Sequence, residues 1–265
     1  MCRSEGQTGR ASGAPPMTTV DEVFLSRVGH DLRGELATMV AGVHYLLRYE
    51  ADLGPTARQM LERVNGAGQR LQRLLDELDN AAWISGGDAG SLLVEPVALA
   101  AVVQAALVRL APLAASREVK IDAQLPADLP EIEADPDLLG TAVEYVIDFA
   151  LARSPRRTIH IGVEIVGGVP VLEVRDEGGP IDPAPLDRLL EPFAEKEVIP
   201  RAEPGQRRRE RLGLGLSIAQ GILQAHGGSL RASAAASGDG IVFQCTPTRP
   251  ATLPAMPPVS GRRLI

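Results

Sequence analysis

One histidine has neighbours that suit phosphoryl chemistry. His30 is followed directly by Asp31 in the stretch FLSRVGHDLRGELATMV, whose apolar spacing predicts a helix. A neutral imidazole is a nucleophile near physiological pH, and an adjacent carboxylate can accept a proton. At about 100° per residue, His30 shares a face with Arg33 and Gly34 and not with Leu32, so we expect it to face solvent. The pattern allows a nucleophile at His30, with an ordinary surface histidine as the alternative.

A second group of residues could bind a phosphate. The run RLGLGLSIAQGILQAHGG places Gly213, Leu214 and Gly215 at the start of an apolar-periodic helix. Glycines let backbone N–H groups approach a phosphate at the positive end of a helix. The spacing matches neither the Walker nor the dinucleotide pattern, and glycine at a helix start also serves turn geometry alone. Two further motifs precede the run, VRDEGGP at 174–180 and EPF at 191–193.

Two helices must position the histidine. Apolar residues recur every three or four positions from 20 to 49 and again after Gly54 and Pro55, which break the pattern. A two-helix hairpin buries too little surface to be stable, so we expect two copies to pair as a four-helix bundle. The seam positions are Val28, Leu32, Leu36, Met39, Val43 and Leu46 on the first helix and Met60, Val64, Ala67, Leu71, Leu74 and Leu78 on the second.

Composition divides the chain into five segments. Residues 1–17 and 249–265 are predicted to be disordered, 18–84 form the hairpin, and 85–92, around SGGDAGS, are a hinge. Helix and strand patterns alternate over 93–248, which predicts an α/β sandwich and an α+β chain overall. The predicted helices are 99–116, 136–153 and 215–226, and the strands are 119–123, 158–165, 169–176, 229–234 and 240–246.

Charge and hydropathy exclude several classes of function. The 265 residues include 27 Lys and Arg against 34 Asp and Glu, a net charge of −7, whereas binders of nucleic acid or anionic membranes need a basic surface. We find no apolar signal-peptide core and no uninterrupted apolar run of about 18 residues, so we expect a cytoplasmic protein without membrane insertion. Cys2 and Cys245 are too few for a disulfide framework or a zinc cluster.

The order of the motifs resembles that of two-component sensor histidine kinases. HDLR followed by a heptad helix is similar to the dimerisation and phosphotransfer hairpin of that family. VRDEGGP, EPF and RLGLGLS resemble, in this order, the G1, F and G2 boxes of the ATP-binding domain shared by histidine kinases, gyrase and related chaperones. The resemblance covers almost the whole ordered chain. It implies that His30 takes the γ-phosphoryl group of ATP with Asp31 as base, and that a receiver-domain aspartate on another chain removes it.

The resemblance also implies the nucleotide contacts. Asp176 would accept a hydrogen bond from the adenine amino group, Gly178 would let the base approach, and 213–215 would meet the phosphates. Residues 194–212 would form a lid over ATP. Its basic side chains either screen the triphosphate or belong to a solvated loop, and the candidates are Lys196, Arg209 and Arg211.

One helix departs from the family's pattern where Mg²⁺ is bound. DPDLLGTAVEYVIDFALARS occupies the place of the N box, whose asparagines contact phosphate and Mg²⁺, yet those positions are Tyr145 and Phe149. Neither supplies the oxygen ligands that Mg²⁺ requires. A shift by one residue would offer Glu144 and Asp148, but only the unshifted register keeps an apolar face. ATP is therefore the implied cofactor, and the ligands of Mg²⁺ are left unassigned.

Three further positions also depart from the family's pattern. Pro180 and Arg211 replace glycines of the G1 and G2 boxes, and Gly34 replaces the Thr or Asn that orients water for dephosphorylation, which argues against phosphatase activity. The sequence predicts a homodimeric histidine kinase core that autophosphorylates from ATP and serves a response-regulator receiver domain. The alternative is a degenerate kinase acting as a histidine phosphotransfer or docking module. We expect input through an upstream sensor protein.

Overall fold

Two long helices, α1 (Thr19–Tyr49) and α2 (Pro55–Ser85), form the predicted hairpin. Arg33 in the middle of α1 donates to Asp79 near the end of α2, and Arg58 near the start of α2 donates to the carbonyl of Leu47 near the end of α1, so the helices are antiparallel. The computed structural model describes residues 19–50, 52–85, 92–126, 128–181, 186–199 and 212–247. Both predicted disordered ends and most of the predicted hinge lie outside these ranges.

The intrachain contact of the hairpin uses only part of the predicted seam. Leu36 and Leu75 are buried, and Gly68 lies so close to Val40 that an added Cβ would clash with it. Several of the predicted seam positions are exposed in the single chain: Leu32, Met39, Leu46, Met60, Val64, Leu71 and Leu78. A helix in a four-helix bundle faces two neighbours, and a single chain supplies only one of them.

The remaining elements form the predicted two-layer α/β sandwich. A five-stranded sheet has the order β2-β4-β5-β7-β6, in which only the β2–β4 pair is parallel. Two three-residue strands, β1 and β3, pair separately. The elements are β1 (Glu95–Val97), α3 (Leu99–Ser116), β2 (Lys120–Gln124), β3 (Ile132–Ala134), α4 (Pro136–Arg153), β4 (Thr158–Val166), β5 (Val169–Asp176), α5 (Glu195–Val198), α6 (Gly215–Ala225), β6 (Ser229–Ala234) and β7 (Ile241–Thr246).

Strand alternation determines which side chains reach the core between sheet and helices. On β5, Leu172 and Val174 are buried, and Asp176 continues this period of two and is buried as well. On α4, Val146, Ile147 and Ala150 line the buried face, as the unshifted register predicts, and Phe149 is buried with them. The same two periodicities therefore place a carboxylate of β5 opposite the last turn of α4.

Helix α3 is an exception to the expectation that no segment is apolar enough to span a membrane. By length and composition alone, Leu99–Ser116 could cross a bilayer. Its residues Leu99, Val103 and Ala106 are buried in the core of the sandwich. Packing against α4 and the sheet accounts for the apolar character of this helix, because core helices meet the same criterion.

Candidate functional site

The turn of α1 that contains His30 is attached to the end of α2. Gly29 is buried, and a Cβ there would lie 2.7 Å from Oδ1 of Asp79. Arg33, which the helical projection places on the solvent face, instead donates to Asp79 Oδ2 at 2.6 Å and to Asp76 Oδ1 at 3.1 Å. The side chains of His30 and its neighbour Asp31 lie outside the described part of the structure.

A cleft of 420 Å³ separates this turn from α4. Arg33 and Asp76 line it on the hairpin side, and Tyr145 and Asp148 line it on the side of α4. Asn80 crosses the cleft by donating from Nδ2 to the hydroxyl of Tyr145 at 3.3 Å. Helix α4 thus faces the end of α2 and, through Arg33, the turn of α1 that contains His30.

The position expected to hold Mg²⁺ is apolar. Phe149 is fully buried and packs edge-on against Phe243, with ring centroids 5.5 Å apart. Burial raises the pKa of the Tyr145 hydroxyl, so this side chain stays neutral at physiological pH. Within the described ranges, no group of three or more His, Cys, Asp or Glu side chains could hold a metal ion. The residues present therefore do not fit Mg²⁺.

The two carboxylates considered as substitute ligands have cationic partners. Glu144 forms an ion pair with Nε of Arg109. Asp148 lies 3.6 Å from Nη1 of Arg117. The first pair joins α4 to Arg109 on α3, and the second joins α4 to Arg117, the residue that follows α3. These carboxylates therefore connect neighbouring helices.

The carboxylate of Asp176, predicted to contact adenine, accepts hydrogen bonds from another side chain of the protein. Nε of Arg153 lies 3.1 Å from its Oδ2 and 3.3 Å from its Oδ1. The backbone N–H of Gly178 donates to Oδ1 at 2.8 Å. Burial raises the pKa of Asp176 above its usual range, although Arg153 and the backbone donors act in the opposite direction.

Gly178 adjoins the same guanidinium. A Cβ on Gly178 would lie 2.9 Å from the side chain of Arg153. The resemblance expects the purine to approach at this glycine, and the space there is filled by arginine. Pro180 follows Gly179, whose carbonyl accepts a hydrogen bond from Nη2 of Arg153 at 3.2 Å.

The predicted phosphate-binding glycines lie at the start of α6, as their sequence context indicates. Gly213 has a φ of +84°, and its carbonyl accepts a hydrogen bond from the N–H of Phe193 at 2.7 Å. Leu214 is buried, and a Cβ on Gly215 would lie 2.9 Å from the ring of Tyr145. The F and G2 motifs therefore meet at one end of the sandwich, next to the N-box position.

The N–H of Leu216, in the first turn of α6, has an internal acceptor. Oε1 of Glu195 accepts from the backbone N–H of Leu216 at 2.6 Å, and Glu195 is 1% exposed. No side chain caps the helix from the N-cap position itself, Leu214. A carboxylate at a helix N-terminus is electrostatically favourable, and it takes the position where a phosphate would be favoured.

The three predicted lid cations cannot be placed. Lys196 belongs to α5, but its side chain lies outside the described residues, as do Arg209 and Arg211 entirely. The sequence reasoning missed two residues at this site, Arg153 and Glu195. A signal for Arg153 exists, since it lies four and seven positions after Phe149 and Val146 and is therefore a charged residue on a core face. For Glu195 we find no sequence signal.

Comparison with known proteins gives one matching family. Residues 134–250 match the family described as histidine kinase-, DNA gyrase B-, and HSP90-like ATPase. Sensor histidine kinase MtrB of Mycobacterium tuberculosis (strain ATCC 25618 / H37Rv) is 29% identical over 226 residues, 84% of this chain and 38% of MtrB. Sensor protein TorS of Escherichia coli (strain K12) is 26% identical over 233 residues, 87% of this chain and 24% of TorS. The chain thus spans well under half the length of these curated relatives.

Two solved structures share the architecture of this chain. Acinetobacter baumannii histidine kinase AdeS gives a TM-score of 0.54 at 18% identity, over 83% of this chain and 98% of that one. Full-length ShkA in complex with AMPPNP gives 0.63 at 20% identity, over 88% and 47%. At these identities the likeness establishes the fold, a helical hairpin followed by an α/β sandwich.

Proposed function

Because this chain is related to two-component sensor histidine kinases, with residues 134–250 in the histidine kinase-, gyrase- and HSP90-like ATPase family, we propose that it is a histidine phosphotransfer core. In this proposal His30 carries a phosphoryl group and exchanges it with the aspartate of a receiver domain on another protein. The motif around His30 and the attachment of its turn to α2 through Arg33 support the assignment.

The chemistry at His30 needs only a neutral imidazole and a proton acceptor. A ring nitrogen attacks the phosphorus of an aspartyl phosphate, and the aspartate leaves as a carboxylate. Asp31 then holds the proton that the ring would otherwise retain. The reverse reaction passes the phosphoryl group to the next receiver. Gly34, in place of the residue that orients water in the family, favours transfer over hydrolysis.

The burial of Phe149 supports this function more than it supports autophosphorylation. Phosphoryl transfer from ATP depends on positioning and on metal or cationic charge, and an enclosed phenyl ring offers no ligand. Autophosphorylation from ATP with Mg²⁺ remains the second candidate, favoured by the order of the motifs and by Asp176 at its family position. Of the two, the apolar N-box position supports the phosphotransfer module.

The proposed module works as a homodimer. Leu32, Met39 and Leu46 on α1 are exposed at intervals of seven, and Leu71 and Leu78 on α2 repeat the interval. A heptad stripe of this kind packs against the same stripe of a second copy. We expect the dimer to be cytoplasmic and to receive its input through contact with an upstream sensor protein.

Transfer from His30 to a receiver tests the proposal. The purified chain is phosphorylated chemically with phosphoramidate and mixed with a panel of receiver domains, and acid-labile and acyl phosphate are followed over time. We expect at least one receiver to be phosphorylated while the phosphohistidine disappears. His30→Ala is the control and should carry no transferable phosphate. A stable phosphohistidine that no receiver removes would refute the proposal.

A further inference from the structure

Two enclosed side chains fill the places where the family's nucleotide is expected. At the purine end, Arg153 is 3% exposed and Asp176 is 0% exposed, so their ion pair is sealed from solvent. An arginine guanidinium and an adenine amino group both offer N–H donors. They therefore compete for the same carboxylate, and in this structure the guanidinium has it.

Arg153 is anchored by more than this one pair. Its Nη1 donates to the carbonyl of Val198 at 2.6 Å and its Nη2 to the carbonyl of Gly179 at 3.2 Å. The single side chain thus joins the end of α4 to the G1 turn and to the end of α5. Displacing a buried arginine requires new partners for its charge and for its N–H donors. Spontaneous displacement of Arg153 is therefore unfavourable.

Side chains of the protein also fill the phosphate end of the site. The Glu195 carboxylate accepts the N–H of Leu216 at 2.6 Å, and the ring of Tyr145 lies against Gly215. An incoming phosphate would compete for the same helix N-terminus and would meet a negative charge already there. The two side chains resemble the groups whose places they take. Arg153 is a hydrogen-bond donor like the purine amino group, and Glu195 is an anion like the phosphate.

We propose that Arg153 and Glu195 hold the nucleotide site closed, Arg153 in place of the purine amino group and Glu195 in place of the phosphate anion. The inference extends the proposed function, because it supplies a second reason, independent of Phe149, why ATP does not load His30. It predicts that nucleotide affinity is limited by the two internal side chains and rises when they are removed.

Adenosine and ATP separate the two ends of the site. Isothermal titration calorimetry on the full chain, with EDTA present, compares the wild type with Arg153→Met and Glu195→Gln. Arg153→Met should bind both ligands at least about tenfold more tightly, because the apparent affinity scales with the fraction of open sites. Glu195→Gln should bind ATP more tightly and leave adenosine affinity unchanged, since only ATP has phosphates to meet the carboxylate.

Arg157→Met is the matched control. Arg157 donates to the carbonyl of Glu177 at 2.6 Å, beside Asp176 in sequence, but lies on the surface. Its replacement should change neither affinity. Equal adenosine affinity in the wild type and a folded Arg153→Met variant would overturn the proposal. Should methionine unfold the domain, Arg153→Lys keeps the charge but loses the threefold anchoring, and an unchanged adenosine affinity there would count equally against it.

The outcomes distinguish this inference from the proposed function. If no receiver exchanges phosphate with His30, the phosphotransfer proposal fails while the affinities of the variants are unaffected. If exchange occurs and both Arg153→Met and Glu195→Gln bind nucleotide as the wild type does, the closed site alone is refuted.

Discussion

Glu177 and His160 form a hydrogen-bonded pair beside Asp176. Nε2 of His160 lies 3.1 Å from Oε1 of Glu177, and its Nδ1 lies 3.3 Å from Oδ2 of Asp122. The hydrogen bond with His160 is the main cause that lowers the pKa of Glu177 below its ordinary value of 4.5. A depressed carboxyl pKa contributes stability above pH 4.5, and this contribution is lost as the pH falls through the folded value.

Replacing the histidine tests this pair. In His160→Ala the pKa of Glu177 should rise toward its ordinary value of 4.5, and the variant should therefore lose less stability than the wild type as the pH falls below 4.5. Carbon-13 NMR titration of the Glu177 carboxyl measures the change. His44→Ala, on the hairpin, is the control and should leave the Glu177 titration unaltered. A Glu177 titration that is the same in His160→Ala would show that the pair does not set its ionisation.

Restoring an asparagine at the N-box position should cost stability. Phe149 is fully buried against Phe243, so Phe149→Asn removes apolar contacts and encloses an amide. We expect the free energy of unfolding to fall by about 3–5 kcal/mol. Phe149→Leu, which stays apolar, should lose less, about 1–2 kcal/mol. Urea unfolding followed by circular dichroism compares the variants, and a Phe149→Asn variant as stable as Phe149→Leu would contradict this account of the site.

A motif indicates where a residue falls in an element but not what the residue binds. Asp176 ends β5, the N–H of Gly178 donates to its carboxylate, and Gly213 and Gly215 lie at the start of α6, while their contacts with a nucleotide stay predictions. Arg153 was not predicted, since α4 alone does not show which strand its last turn meets. The contact depends on the register of β5, where Asp176 pairs with Ile159 of β4.

Replacing two glycines of α1 by alanine should change the free energy of unfolding in opposite directions. Gly34 is exposed, and a Cβ there would meet no atom within 4 Å. Gly34→Ala should therefore increase the free energy of unfolding by about 1 kcal/mol through helix propensity. Gly29→Ala should decrease it, because its Cβ would lie 2.7 Å from Asp79 Oδ1. Thermal unfolding of the two variants measures both effects, and a change of the same sign in both would contradict the close packing of α1 on α2.

Elements of five or more residues were predictable and shorter ones were not. The helices from Leu99 and Pro136 begin at the predicted residues, because apolar periodicity and turn residues bound them. The β1–β3 ladder was missed, since strands of three residues show no measurable alternation. The heptad spacing predicted both helices of the hairpin but did not separate the intrachain face, with Leu36 and Leu75, from the exposed stripe.

The exposed heptad stripe, formed by Leu32, Met39, Leu46, Leu71 and Leu78, should determine the oligomeric state of the chain. Leu71 is 48% exposed in the single chain. If it lies in the core of a four-helix bundle, Leu71→Glu places a charge there and should produce monomers. Gln69→Glu, an exposed change two residues away, should leave the dimer intact. Light scattering after size exclusion measures the masses, and a dimeric Leu71→Glu chain would contradict the proposed interface.

The proposed function and the closed nucleotide site together imply that His30 is phosphorylated by exchange with a receiver and not by ATP bound to this chain. The most direct measurement incubates the wild-type chain with γ-labelled ATP, in Mg²⁺ or Mn²⁺, and follows acid-labile label against a His30→Ala blank. We expect no His30-dependent label from ATP over a period in which a labelled, phosphorylated receiver domain transfers its label to His30. His30-dependent label that accumulates from ATP in the wild type would contradict it.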